Sequence, residues 1–163
     1  MKTIEINLYK FSELSEDAKD KAREWWSSGG VDHDWYECIY EGAENIGLKI
    51  TEFELNHRSI DGYFDLSASE VAANIFRDHG EECETFKTAT AFMEEWEPKF
   101  AEYMQTEEGE DDLIYLGDEF RKSLLEDYLI LLQRELDFLG SREYIDDILE
   151  VNEYDFTEDG EIY

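Results

Sequence analysis

Polar and apolar residues alternate over Thr3-Ile4-Glu5-Ile6-Asn7-Leu8, the period of a half-buried strand. The pattern then changes period. Ser15 reads as an N-cap, with Glu16 and Asp17 placed to favour the helix dipole. Ala18, Ala22 and Trp25 share one face of a helix ending near Trp26, and Ser27-Ser28-Gly29-Gly30 stops it. A second helix is predicted from Asp32 or Asp34 to Ile46, with Trp35, Ile39 and Ala43 inward and Gly47 as its C-cap. Leu48, Ile50, Phe53 and Leu55 predict a strand whose alternation slips once, as at a bulge. Asp61-Gly62 reads as a turn into a return strand carrying Tyr63, Phe64 and Leu66. Ser67 or Ser69 caps a short helix carrying Val71, Ile75 and Phe76, ending at Gly80.

The second half is more strongly helical. Phe86, Ala89, Met93, Trp96, Phe100 and Tyr103 form a stripe at spacings of three and four, bent or interrupted at Pro98. Leu113 to Leu139 is the longest predicted helix, and from Leu124 onward it is apolar almost all round, so it must be covered on most sides. Gly140 ends it, and Ser141 caps one more helix through Leu149. Val151 to Phe156 reads as a strand, with a turn at Glu158-Asp159-Gly160 into Glu161-Ile162-Tyr163. The expected fold class is α+β, a single domain over residues 1–163. A helical body surrounds the long apolar helix (about 113–139). A small antiparallel sheet is built from the N-terminus, residues 48–66 and the C-terminal hairpin.

Charge changes the picture. The chain holds 44 acids and 14 bases, a net charge of −30, yet 42% of it is hydrophobic and 15% aromatic. A core on that scale argues against general disorder. The charge is uneven. Residues 81–119 hold 14 acids and 2 bases and residues 141–163 hold 9 acids and 1 base, while residues 120–140 between them are nearly neutral. Direct binding to nucleic acid or to an anionic membrane is disfavoured. The start of the chain has no long apolar stretch and no segment reaches membrane-spanning length, so a cytoplasmic location is expected. Cys38 and Cys83 match no metal or redox spacing and read as reduced thiols.

Candidate catalytic chemistry is thin. His33, His57 and His79 are scattered. His79-Gly80-Glu81 matches half of a zinc deaminase signature, but the P-C-x-x-C half is absent. Asp155-x-Thr157-x-Asp159-Gly160 resembles the opening of an EF-hand loop, but the chain has no residue at the twelfth position, where a bidentate carboxylate is needed. No nucleophile elbow, P-loop or dinucleotide fingerprint occurs. No catalytic residue, metal site or cofactor is assigned, and no enzymatic activity is expected. Trp25-Trp26 with Trp35 and Tyr36 supplies aromatic mass either to a core or to a binding anchor, one ring of each adjacent pair facing inward and the other outward.

The acids are the stronger candidates. Carboxylates three or four apart on a helix lie roughly 5–6 Å from each other on one face. Rows of them can approach the charge density of a nucleic acid and occupy a groove built for one. The expected partner-binding face is Glu94, Glu95, Glu97, Glu102, Glu107, Glu108, Glu110, Asp111 and Asp112. The expected partner is a basic protein with a nucleic-acid-binding groove. Two other readings stay open: an antitoxin-like neutraliser of a basic toxin, and an acidic protein adapted to high salt or solubility with no such partner.

The stretch Phe11-Ser12-Glu13-Leu14-Ser15-Glu16-Asp17-Ala18-Lys19-Asp20-Lys21-Ala22-Arg23-Glu24-Trp25 resembles the opening F-x-E-L-S-x-x-A-K-x-x-A-R-x-W of a group of small phage and prophage proteins, some of them labelled antitoxin of a toxin–antitoxin system. The tail from Tyr154 to Tyr163 resembles tails in the same group. The two stretches cover about a sixth of the chain. The resemblance implies a phage or mobile-element setting and offers no catalytic residues to carry over. In that setting, a very acidic protein without an enzyme site is expected to inhibit a host defence protein, as anti-CRISPR and anti-restriction proteins do.

Overall fold

The computed structural model describes residues 1–163. It contains six α-helices and one two-stranded antiparallel sheet, an α+β fold. The contacts gather into two compact units: a terminal one, residues 1–35 with 134–163, and a central one, residues 36–133.

In the terminal unit, one 3-10 turn at Phe11–Glu13 leads into α1, Glu16–Ser28. Ser15 caps α1 as the sequence predicts, its hydroxyl accepting from the Ala18 amide at 3.2 Å. The last turns of α5 (Glu110–Leu139) and α6 (Arg142–Val151) complete the helices, and the Ser141 hydroxyl caps α6 by accepting from the Tyr144 amide. Phe11, Leu14, Ala18, Ala22, Ile145, Leu149 and Phe156 form the buried core. A bidentate pair ties α1 to α6. Arg23 Nε donates to Asp146 Oδ1 at 2.6 Å and its Nη2 to Oδ2 at 2.8 Å.

Both chain ends depart from the expected strands. Residues 3–8 pair with nothing, and Ile4 and Ile6 are exposed. Alternation creates a strand only where a partner edge exists, and here the first contact is a single bridge, Tyr9 to Phe156. Val151 ends α6 instead of opening a strand, and Phe156 makes only bridges, to Tyr9 and Ile162. The turn at Glu158-Asp159-Gly160 is present. Neither terminus joins the sheet.

The central unit is α2 (Glu37–Ile46), β1 (Leu48–Glu54), β2 (Ser59–Phe64), α3 (Ala68–Asp78), α4 (Glu84–Thr106) and most of α5. Helix α2 starts later than expected and ends on Gly47 at φ 94, the left-handed cap the sequence predicts. The predicted bulge is present. Ile50 pairs with Gly62 and Glu52 with Asp61, leaving Thr51 between them. Asp61-Gly62, however, is not a turn. It lies inside β2, and the chain reverses over residues 55–58, where Arg58 takes φ 49. Ser67 caps α3 in a reciprocal box with Glu70. Ala43, Ile46, Leu48, Val71, Ala72, Ile75, Ala89, Phe120 and Leu124 are buried in one cluster.

Helices α4 and α5 form an antiparallel hairpin. Lys99 pairs with Asp112, Phe92 stacks on Phe120 with centroids 4.3 Å apart, and Thr88 Oγ1 donates to Asp127 Oδ2 at 2.6 Å. Contacts that step forward on one helix and backward on the other define that orientation. Helix α4 continues through Pro98 as one helix and is not interrupted there. Helix α5 begins at Glu110, three residues before the predicted start, and the cover expected along its apolar length is partial, since Leu131 and Phe138 are exposed.

Candidate partner-binding surface

The α4–α5 hairpin carries all nine acids expected to face a partner. Glu94, Glu95 and Glu102 lie on the side of α4 away from the stripe that buries Ala89 and Phe92, and Glu97 flanks the edge of that stripe. Glu107 and Glu108 lie in the connection, and Glu110, Asp111 and Asp112 occupy the first turn of α5. All nine are exposed. At 1.5 Å per residue, the four acids on α4 are spread over about 12 Å, from Glu94 to Glu102. That is thinner than duplex DNA, which carries one charge per ~1.7 Å of axis. The other five fall within six consecutive residues around Gly109. The charge is therefore concentrated at the tip of the hairpin, not evenly along α4.

Local physics explains how the chain tolerates this density. Three acids in the first turn of a helix meet its positive dipole end, which offsets part of their mutual repulsion. The connection is tight. The Glu107 amide donates to the Tyr103 carbonyl at 2.7 Å, Glu107 takes a left-handed φ of 55 and Gly109 a φ of 89. Glutamate is disfavoured in that conformation, where glycine or asparagine is the common choice. Only one base reaches the tip. Lys99 Nζ lies 3.7 Å from Asp112 Oδ2. Sequence distance hid it, since along the chain the next base after the acidic run is Arg121.

Exposed apolar residues adjoin these acids. Met104, Ile114 and Tyr115 are 65%, 63% and 63% exposed. Met104 lies in the last turn of α4, and Ile114 and Tyr115 follow directly on the acidic turn of α5. Sequence reasoning expected cover only from Leu124 onward, placed Ile114 and Tyr115 in the helix without asking which way they face, and left Met104 unassigned. The available signal was Leu113-Ile114-Tyr115-Leu116, four successive apolar positions that one narrow helix face cannot bury.

Elsewhere, candidate chemistry dissolves into structural roles. His79 caps α3, and its Nδ1 lies 2.6 Å from the buried Thr85 hydroxyl. Burial holds its pKa below the ordinary histidine value. Two acids of the Asp155–Gly160 loop are turned to lysines: Lys10 reaches Asp155 at 2.7 Å, and Lys21 reaches Asp159 at 3.2 Å. No group of three or more His, Cys, Asp or Glu side chains is placed to hold a metal ion, and both cysteines are free. No helix is long and apolar enough to cross a membrane. No protein-family model, curated protein or solved structure matches this chain.

Proposed function

We propose that the protein is a non-enzymatic acidic binding protein, an inhibitor from a phage or mobile element that mimics nucleic acid and blocks the cationic DNA- or RNA-binding site of a host defence protein. The observation that carries this reading is the make-up of the hairpin tip: five carboxylates within six residues, one basic neighbour, and Met104, Ile114 and Tyr115 exposed beside them. A surface tuned only for solubility or salt has no use for three bare apolar side chains. An interface uses them as a core inside a charged rim. The carboxylates steer toward a positive groove and shed the cations gathered around them on docking, as phosphates do. The resemblance of residues 11–25 to small phage proteins supplies the setting.

The test uses the immobilised full chain and the quadruple variant Glu107→Lys, Glu108→Lys, Glu110→Lys, Asp111→Lys, each exposed to host extract. The expected partner is captured by the native chain alone. It is released by excess duplex DNA and by salt near 0.5 M, where screening shortens the reach of charge to a few ångströms. Capture that survives both treatments, or that the folded quadruple variant retains, removes the mimicry reading. A captured toxin that binds no nucleic acid replaces it with the antitoxin-like reading.

A further inference from the structure

The aromatic residues around the first helix end, which the acidic tip does not involve, enclose a cleft of about 660 Å³ in the terminal unit. That volume falls within the range of small-molecule sites. Its walls carry Trp25, Trp26, Trp35, Tyr144 and Tyr154, with Ser27-Ser28-Gly29-Gly30 forming part of the rim. Trp25 meets Tyr154 edge-on at 5.4 Å and Trp26 at 6.3 Å, so these rings hold one another in place. Trp25 is 37% exposed while Trp26 packs half-buried against the terminal core, so that pair divides as expected but with Trp26, not Trp25, inward; Trp35 and Tyr36 are both half-buried and do not divide.

The electrostatics of the lining have one sign. Asp32 and Glu135 contribute carboxylates, and no lysine, arginine or histidine lines the cleft. Two helices also end at it: the C-terminal residues of α1, Ser27 and Ser28, and of α5, Leu139, are lining residues. A helix C-terminus carries about half a negative charge and is usually complemented by a base in its last turn. Neither α1 nor α5 has one there. Aromatic faces add a third negative contribution, since their quadrupoles attract cations.

We propose that this cleft binds an organic cation, a guanidinium or alkylammonium group whose hydrocarbon part lies on the tryptophan rings and whose charge is met by Asp32, Glu135 and the two helix ends. An alkali or alkaline-earth ion gains little from aromatic walls because it keeps its water, whereas a weakly hydrated organic cation gains both contributions. Two sources share this chemistry: a free polyamine, and an arginine or lysine side chain of a protein. The site shares no residue with the acidic tip, and the proposal does not rest on the function assigned to that tip.

Three of the four tryptophans line the cleft, so intrinsic fluorescence of the full chain reads binding directly. Spermidine, N-acetyl-arginine amide and its neutral isostere N-acetyl-citrulline amide are titrated at 150 mM NaCl. The cations are expected to change tryptophan emission saturably, with the arginine compound at least tenfold tighter than the citrulline compound. Tighter spermidine binding identifies a polyamine site, and tighter binding of the arginine compound a side-chain site. The variant Asp32→Asn with Glu135→Gln, whose fold is checked by circular dichroism, is expected to lose affinity about tenfold. The Glu107→Lys, Glu108→Lys, Glu110→Lys, Asp111→Lys variant is expected to keep it. Equal binding of arginine and citrulline compounds, or equal displacement by magnesium at matched charge, overturns the proposal. So does unchanged affinity in the Asp32/Glu135 variant, because the cation would then be held by the diffuse charge of the molecule.

Discussion

Two glycines show where single residues decide the packing. Gly160 takes φ 87, and a Cβ placed there would collide with the Ala18 carbonyl of α1. Gly160→Ala is therefore both strained and obstructed, and equilibrium urea unfolding is expected to show a loss of about 2–3 kcal/mol. The turn at Gly160 was legible from its neighbours Glu158 and Asp159. Gly62 was misread as half of a turn pair, because what requires glycine there is remote in sequence. A Cβ at Gly62 would lie 2.5 Å from the Lys49 carbonyl oxygen of β1 and 3.0 Å from a Leu125 methyl of α5. Local composition carries no trace of such an approach. The Arg23–Asp146 pair was hidden for the same reason, its members lying 123 residues apart. Its hydrogen bond to Arg23 holds the Asp146 carboxyl below the usual aspartate range. The folded state thus prefers the ionised form. The stability from the pair is present above the unfolded value near 3.9 and is lost as pH falls through the lower folded one. Asp146→Asn is expected to cost about 2 kcal/mol at pH 7 and to flatten the stability profile below pH 4, read by thermal unfolding across pH.

Among the elements, helices were far more legible than strands. Ser15, Ser67 and Ser141 each cap the helix they announce, and the stripe from Phe86 to Tyr103 lies on one helix, because caps and 3.6-residue periodicity are local signals. The alternation at Ile4, Ile6 and Leu8 is equally local, but a strand needs an edge supplied from elsewhere, and none is. The acidic face was legible as a list of residues, but its concentration at a hairpin tip was not. That depended on the chain reversing at 107–109, where the sequence offers a single glycine among acids. The reversal itself yields a prediction. Glu107 takes the left-handed conformation at the end of α4, where glycine avoids the steric cost borne by a side chain. Glu107→Gly also removes one of five crowded carboxylates. It is expected to stabilise the protein by about 1 kcal/mol in urea unfolding, and to weaken capture of the partner proposed above. A gain in stability with undiminished capture would show that this glutamate serves neither role.

Over the whole molecule, the scarcity of bases becomes the governing fact. The terminal unit holds 19 acids and 7 bases, and the central unit 25 acids and 7 bases, so both carry a strong negative charge of their own, −12 and −18. Twelve of the fourteen bases lie within 4.0 Å of an acid of the same chain, among them Lys10, Lys21, Arg58 and Arg142. Most of these pairs are exposed, where each is worth at most about 1 kcal/mol. They cannot offset thirty uncompensated charges, so the unscreened repulsion must be carried by the two buried cores. Added salt relieves that repulsion over distances beyond a Debye length, roughly 10 Å at 0.1 M and 3 Å at 1 M. The melting temperature is therefore expected to climb steeply between low salt and about 0.3 M NaCl, then level off once the remaining interactions are close pairs that screening barely touches. Potassium, sodium and guanidine-free choline chloride should act alike over that range, because the effect depends on ionic strength. A continued rise into molar salt would have another cause, since screening is by then nearly complete. It would place the protein with salt-adapted acidic surfaces, whose carboxylates require no partner, and would leave the exposed Met104, Ile114 and Tyr115 beside the acidic tip without an occupant.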